Sequence, residues 1–174
     1  MAEKVKLRDY QKSILDRLDV VRTDASAVAD SYLGVEIGGR NVLVDLLDIS
    51  ETLVVTEIQP IPLVKPWFLG MSNVRGILYA INDLGQLLDN NFTEISSNTR
   101  ILLINESIAS NMGILVDRLI GLRHLETFKL NNDSEEESIC FKQKTYEDEE
   151  KRIWYLLDCE KLTSSKAFEI PYAT

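Results

Sequence analysis

Across residues 7–29 the apolar side chains Leu7, Tyr10, Ile14, Leu18, Val21, Ala25 and Val28 recur every three or four positions, with charges between them. That spacing predicts an amphipathic helix, so residues 1–30 are read as a helical extension that packs on the body or on a partner helix. Beyond it the period falls to two. Residues 32–37 alternate, Gly38-Gly39-Arg40-Asn41 supplies hairpin punctuation, and Val42-Leu43-Val44-Asp45 returns as a second strand. The plan then recurs: residues 101–104 read as a strand, 105–112 as a longer connection, and Gly113-Ile114-Leu115-Val116-Asp117 as the return. Val42-Leu43-Val44-Asp45-Leu46-Leu47 and Ile114-Leu115-Val116-Asp117-Arg118-Leu119 share four of six residues. Each stretch also closes alike, with an apolar strand, an aspartate and a leucine four residues on: Asp83 with Leu87, and Asp158 with Leu162.

These matches imply an internal duplication, about 31–90 and 99–165, joined by a polar linker at 90–98. Residues 31–174 are therefore expected to form a single, mainly β domain of two subdomains, with strands free to exchange between them. About five short strands apiece give a small barrel or curled sheet. Neither alone buries much core, so the two should pack on each other.

Residues 66–84 are the most informative stretch. Gly70 and Gly76 permit backbone angles or close approach that a Cβ would block, and residues 77–81 are almost wholly apolar, which reads as a strand buried on both faces. Asp83 is placed to cap a short helix over 84–88. Arg75, between glycines, offers a planar guanidinium with five donors, suited to a protein interface; the competing reading is an internal ion pair with Asp83 or Asp45. Asn73 lies in the same turn, where its side chain is expected to hold the backbone.

The order Gly70-x-x-Asn73-x-Arg75-Gly76, a five-residue strand, then Asp83-Leu84 resembles the central signature of the CheW-type chemotaxis coupling proteins. The likeness extends over the body: residues 32–45 with Ile49 and Glu51 are similar to the family's opening hairpin, 113–122 to its later Gly-Ile-x-Val-Asp strand, and 155–162 to its last strand and short helix. Ala80 stands where the family usually has proline and Val74 where leucine is commoner, and the glycine expected near Glu147 is absent. The resemblance implies two SH3-like five-stranded barrels. It also implies a non-catalytic adaptor between a CheA-type histidine kinase regulatory domain and the cytoplasmic tip of a methyl-accepting chemoreceptor. Arg75, Gly70, Ile49 and Glu51 would form its protein-binding surface, with Asn73 a candidate beside them in the same turn. The extension before Tyr32 and the departures at Val74 and Ala80 point to the coupling proteins of type IV pilus twitching-motility systems, with a flagellar member as the alternative.

Composition narrows the partners. A formal charge of −9 argues against nucleic acid or an anionic membrane surface. Much of the acidity lies between 131 and 150, read as solvated loops flanking an edge strand at 138–146. Cys140 and Cys159 are expected to be buried or idle thiols in a reducing compartment. No window is long and apolar enough for a membrane span, and residues 2–9 lack a signal peptide's apolar core, so a cytoplasmic protein is expected, associated with membrane receptor arrays.

Candidate chemistry is sparse. His124 is the only histidine and is read as a surface or half-buried structural residue. No Walker loop, dinucleotide glycine fingerprint, His-Glu-x-x-His or nucleophile elbow occurs, so no catalysis, cofactor or metal is expected. Asp45, Asp83, Asp117 and Asp158 could supply paired carboxylates to a small hydrolase, but each ends an apolar strand, where capping accounts for it. Trp67 and Phe68, after Pro60, Pro62 and Pro66, are read as core plugs, with interface anchors as the alternative. Trp154 and Tyr155 should face opposite sides of their strand.

Overall fold

The computed structural model describes residues 31–131, 138–169 and 171–172; the helix expected over 7–29 lies outside them. Alternation becomes strands as the sequence requires. β1 (Ser31–Ile37) and β2 (Arg40–Asp45) form a hairpin in the register Val35↔Val42, turned at Gly38 and Gly39, both at positive φ. β3 (Ile49–Val54), β4 (Phe68–Val74) and β5 (Ile77–Asp83) follow, then the short helix α1 (Leu84–Asp89). The second half runs β6 (Arg100–Ile104), β7 (Met112–Val116), β8 (Arg118–His124), β9 (Lys129–Asn131), β10 (Phe141–Glu147) and β11 (Ile153–Leu157), then α2 (Cys159–Thr163) and α3 (Lys166–Glu169).

The strands pair across the repeat. One sheet has the order β8-β1-β2-β11-β10-β9, the other β3-β6-β7-β5-β4. Each takes a hairpin from one repeat and its remaining strands from the other. The repeats join at four pairings, the parallel β2 with β11 (Leu43↔Leu156) and β7 with β5 (Gly113↔Ile81) and the antiparallel β1 with β8 and β3 with β6. The edge expectation for 138–146 is corrected: β10 is interior to its sheet, because β9 pairs with it at Tyr146↔Leu130.

The core lies in three tiers, a consequence of side chains alternating across hairpins covered on both faces. Leu43, Trp154, Leu156 and Tyr32 fill the first sheet's barrel; Ile81, Ile101, Leu103 and Leu115 fill the second. The opposite faces of the same strands, including Leu33, Val35, Val42, Leu102 and Ile114, meet between the barrels in a larger cluster that also takes in Leu84, Leu157 and Leu162. Trp154 and Tyr155 serve different tiers, the indole fully buried and Tyr155 packed against the inter-barrel cluster. Gly34 makes room for the indole, since a Cβ there would stand 3.0 Å from its ring. Cys140 and Cys159 are free and buried in the inter-barrel tier, and desolvation pushes the Cys140 thiol up to about 11 and raises Cys159 as well.

The strand-end aspartates act as caps. Asp83 Oδ1 accepts from the Gln86 amide and both its oxygens accept from Thr93, while Asp158 Oδ1 accepts from the Lys161 amide at 2.9 Å and Asp45 from that of Leu47. Asp117 is the exception. Burial raises its pKa against backbone hydrogen bonds from Gly38 and Gly39.

Candidate protein-binding site on the second barrel

Arg75 stands at the tip of the β4–β5 hairpin. Val74 pairs with Ile77, so Arg75 and Gly76 alone make the turn, at φ 52° and 87°. Two consecutive positive-φ residues define a type I′ turn, the geometry whose twist matches that of the flanking strands. Glycine adopts it freely, whereas an arginine there costs about 1 kcal/mol. The turn is held as the sequence implies: Asn73 Oδ1 accepts from the Gly76 amide at 2.8 Å.

The guanidinium is neither entombed nor paired with Asp83 or Asp45. It makes a bidentate pair with Glu51 on β3, Nη2 to Oε1 at 2.6 Å and Nη1 to Oε2 at 2.9 Å, while 75% of the Arg75 side chain stays accessible. The two candidates are thus brought together across the mouth of the barrel. The barrel closes there because the chain after β3 runs back along β4. Gln59 and Met71 exchange backbone hydrogen bonds, Thr56 Oγ1 meets Ser72 Oγ at 2.7 Å, and Ser72 Oγ donates to the Glu57 carbonyl.

Two expected surface positions are corrected. Ile49 is buried, because a bulge between Ile49 and Glu51 puts them on opposite faces: Ile49, opposite Ile104, enters the inter-barrel core, and Glu51, opposite Leu103, takes the other face. Gly70 is also buried. It lies at φ 136°, where a Cβ would come within 2.1 Å of the Gln59 carbonyl oxygen, so its contribution is the barrel's closure rather than an exposed contact. The apolar run of β5 is not buried on both faces throughout. Ile77 and Leu78 are 47% and 54% exposed beside Arg75, and burial begins farther along, at Ile81. These two apolar neighbours were missed as surface, and their adjacency to the Arg75-Gly76 turn is the signal that could have marked them.

Of the two aromatics Trp67 is the core plug: it is buried, stacks on Phe168 of α3 at 4.9 Å and meets the half-buried Phe68 edge-on. His124 ends β8, exposed, with its Nδ1 3.5 Å from Ser31 Oγ. In the β10–β11 turn, desolvation of Asp148 is outweighed by hydrogen bonds from the Trp154 indole and from the Arg152 amide and guanidinium. Together they hold its carboxyl down to about 2. Among the described residues no cluster of three or more His, Cys, Asp or Glu could hold a metal ion, and no helix is long and apolar enough to cross a membrane.

Two packed barrels, the second carrying a cationic hairpin tip flanked by exposed apolar residues, define the class of fold. The sequence matches the CheW-like domain over residues 31–167, and the chain belongs to that family. It is 31% identical over 100 residues to Protein PilI of Pseudomonas aeruginosa, a match spanning 56% of each chain, so the alignment covers about half the length of that relative. The fold is similar to that in the crystal structure of scaffolding protein TtCheW from Thermoanaerobacter tengcongensis, with a TM-score of 0.65 and 15% identity, covering 79% of this chain and 94% of that one.

Proposed function

We propose that this CheW-like protein is a scaffold that couples methyl-accepting chemoreceptors to a CheA-type histidine kinase, in the chemosensory system that controls type IV pilus twitching motility. It acts by placement, without catalysis, and without cofactor or metal. One partner is the kinase regulatory domain and the other the helical tip of the receptor. The observation that carries the reading is the Arg75 tip. A solvent-facing guanidinium kept on an unfavourable turn residue, pre-oriented by Glu51, is strain that a fold has no need of unless the side chain is used elsewhere. Arg75 and Glu51, with Asn73 shaping the turn, present the contact; Gly70 and Ile49 support it from within. Likeness to PilI favours the pilus pathway over the flagellar one. A scaffold transmits a signal only through a difference in affinity between two states of its partners, typically about 1 to 3 kcal/mol of coupling.

The test is pull-down of a receptor tip and a kinase regulatory domain by the full chain and by Arg75→Glu, with urea midpoints to verify that the variant is folded. Loss of at least one association is expected. If both persist undiminished, Arg75 is not the contact. Co-purification from native cells with a flagellar rather than a pilus-type receptor would reassign the pathway.

A further inference from the structure

We propose that the amphipathic segment before β1 docks in cis along the β8 edge of the first barrel, its apolar face covering Leu119, Ile120, Leu122, Leu125 and Phe128. Among the described residues β8 terminates its sheet, hydrogen-bonded to β1 alone. An open strand end of this kind is an aggregation hazard that proteins suppress by charge, by distortion or by laying a helix or loop over it. Here the apolar side chains around it are only half covered. Leu119 and Leu122 lean on the inter-barrel tier, and Ile120, Leu125 and Phe128 on the tier inside the first barrel.

What covers them follows from where the chain enters. Thirty residues precede Ser31, and Ser31 sits opposite His124, the last residue of β8, immediately before Leu125. The preceding segment is thus delivered to the rim of this surface. Its sequence places Ile14, Leu18 and Val21 at helical spacing on one face. As a helix, 22 residues extend about 33 Å, against about 24 Å for a seven-residue strand, so the segment is long enough to run the whole edge. Tethering places it at millimolar effective concentration, so modest contact energy suffices for occupancy. Its acidic and basic residues balance, six of each over residues 1–30, so apolar contact rather than net charge must hold it.

Hydrogen–deuterium exchange on the full chain tests this, comparing the parent with Ile14→Asp/Leu18→Asp and with a polar-face control, Lys12→Ala/Asp16→Ala. The expected result is exchange about tenfold faster or more over residues 118–128 in the apolar-face variant only, with exchange at β5–β7 unchanged as the measure of an intact fold. In a second arm, Leu18→Cys/Ile120→Cys should give an intrachain product with a short bismaleimide. Unchanged protection of 118–128 in the apolar-face variant overturns the proposal. So does protection that appears only as the protein dimerises on concentration, or a crosslink found only between chains, because a second copy would then be the cover.

Discussion

Replacing Arg75 with asparagine separates what the tip does for partners from what it does for the fold. Asparagine tolerates the left-handed region, and Asn-Gly is the favoured pair for a type I′ turn, so the substitution removes most of the roughly 1 kcal/mol that an arginine at φ 52° costs. Against this stands the lost pair with Glu51. Its two hydrogen bonds are well formed, but the side chains are 75% and 32% accessible, and exposed pairs contribute about 0.2 to 1 kcal/mol. The net change in stability therefore lies between zero and a gain of about 0.8 kcal/mol, a shift in midpoint of no more than about 3 °C for a chain of this size. Partner binding responds oppositely. Truncation of an interface arginine at a hot spot costs about 2 kcal/mol or more, some thirtyfold in affinity. Urea unfolding is followed by the fluorescence of Trp67 and Trp154, both buried and one in each half of the chain, and binding by titration with the kinase regulatory domain and the receptor tip. A variant destabilised by more than 1 kcal/mol with affinity intact would show that Arg75 serves the fold through Glu51, and the functional reading of the tip would fail.

Gly70→Ala should lose at least about 2 kcal/mol in a urea titration, because its Cβ would overlap the Gln59 carbonyl and open the second barrel; a loss under 0.5 kcal/mol would contradict the closure described. Because Asp148 is held at about 2 in the folded chain against an ordinary 3.8, its contribution is complete above about pH 4 and is lost as the pH falls through 2. Asp148→Asn should therefore be less stable than the parent at pH 6, with the gap narrowing towards pH 2. A gap independent of pH would refute the assignment. Buried and raised in pKa, the Cys140 and Cys159 thiols should resist an aromatic disulfide reagent at pH 8 in the native state and react fully in urea; rapid native labelling would contradict their placement.

Much of the architecture was legible because it rests on short-range rules. Period-two alternation marked β1 and β2, and repetition of Leu-Val-Asp marked β7 as the counterpart of β2. Aspartate after an apolar strand marked the caps at Asp83 and Asp158. What failed to show was set by register. A one-residue bulge after Ile49 sends Ile49 and Glu51, which a regular strand would hold on one face, to opposite faces, and nothing in Ile49-Ser50-Glu51 announces it. The run 77–81 has the composition of a buried strand, yet its first two residues project beyond the neighbouring strand, which joins only from Ala80, opposite Met112. Local pattern reports how a strand is made, not how far its neighbour extends. The partner of Arg75 was hidden for the same reason, since Glu51 becomes adjacent only after the sheet has curled far enough to bring its two outermost strands together.

Reciprocal exchange of hairpins has a mechanical corollary. Neither repeat can be pulled out of the molecule without unzipping a parallel seam in each sheet, while the two barrels are held to each other by the packed tier between them and by the Arg40–Asp89 clasp beside Gly38. A push delivered to the tip of the second barrel reaches the first through that shared core and the two places where the chain crosses over, residues 46–48 and Asp117.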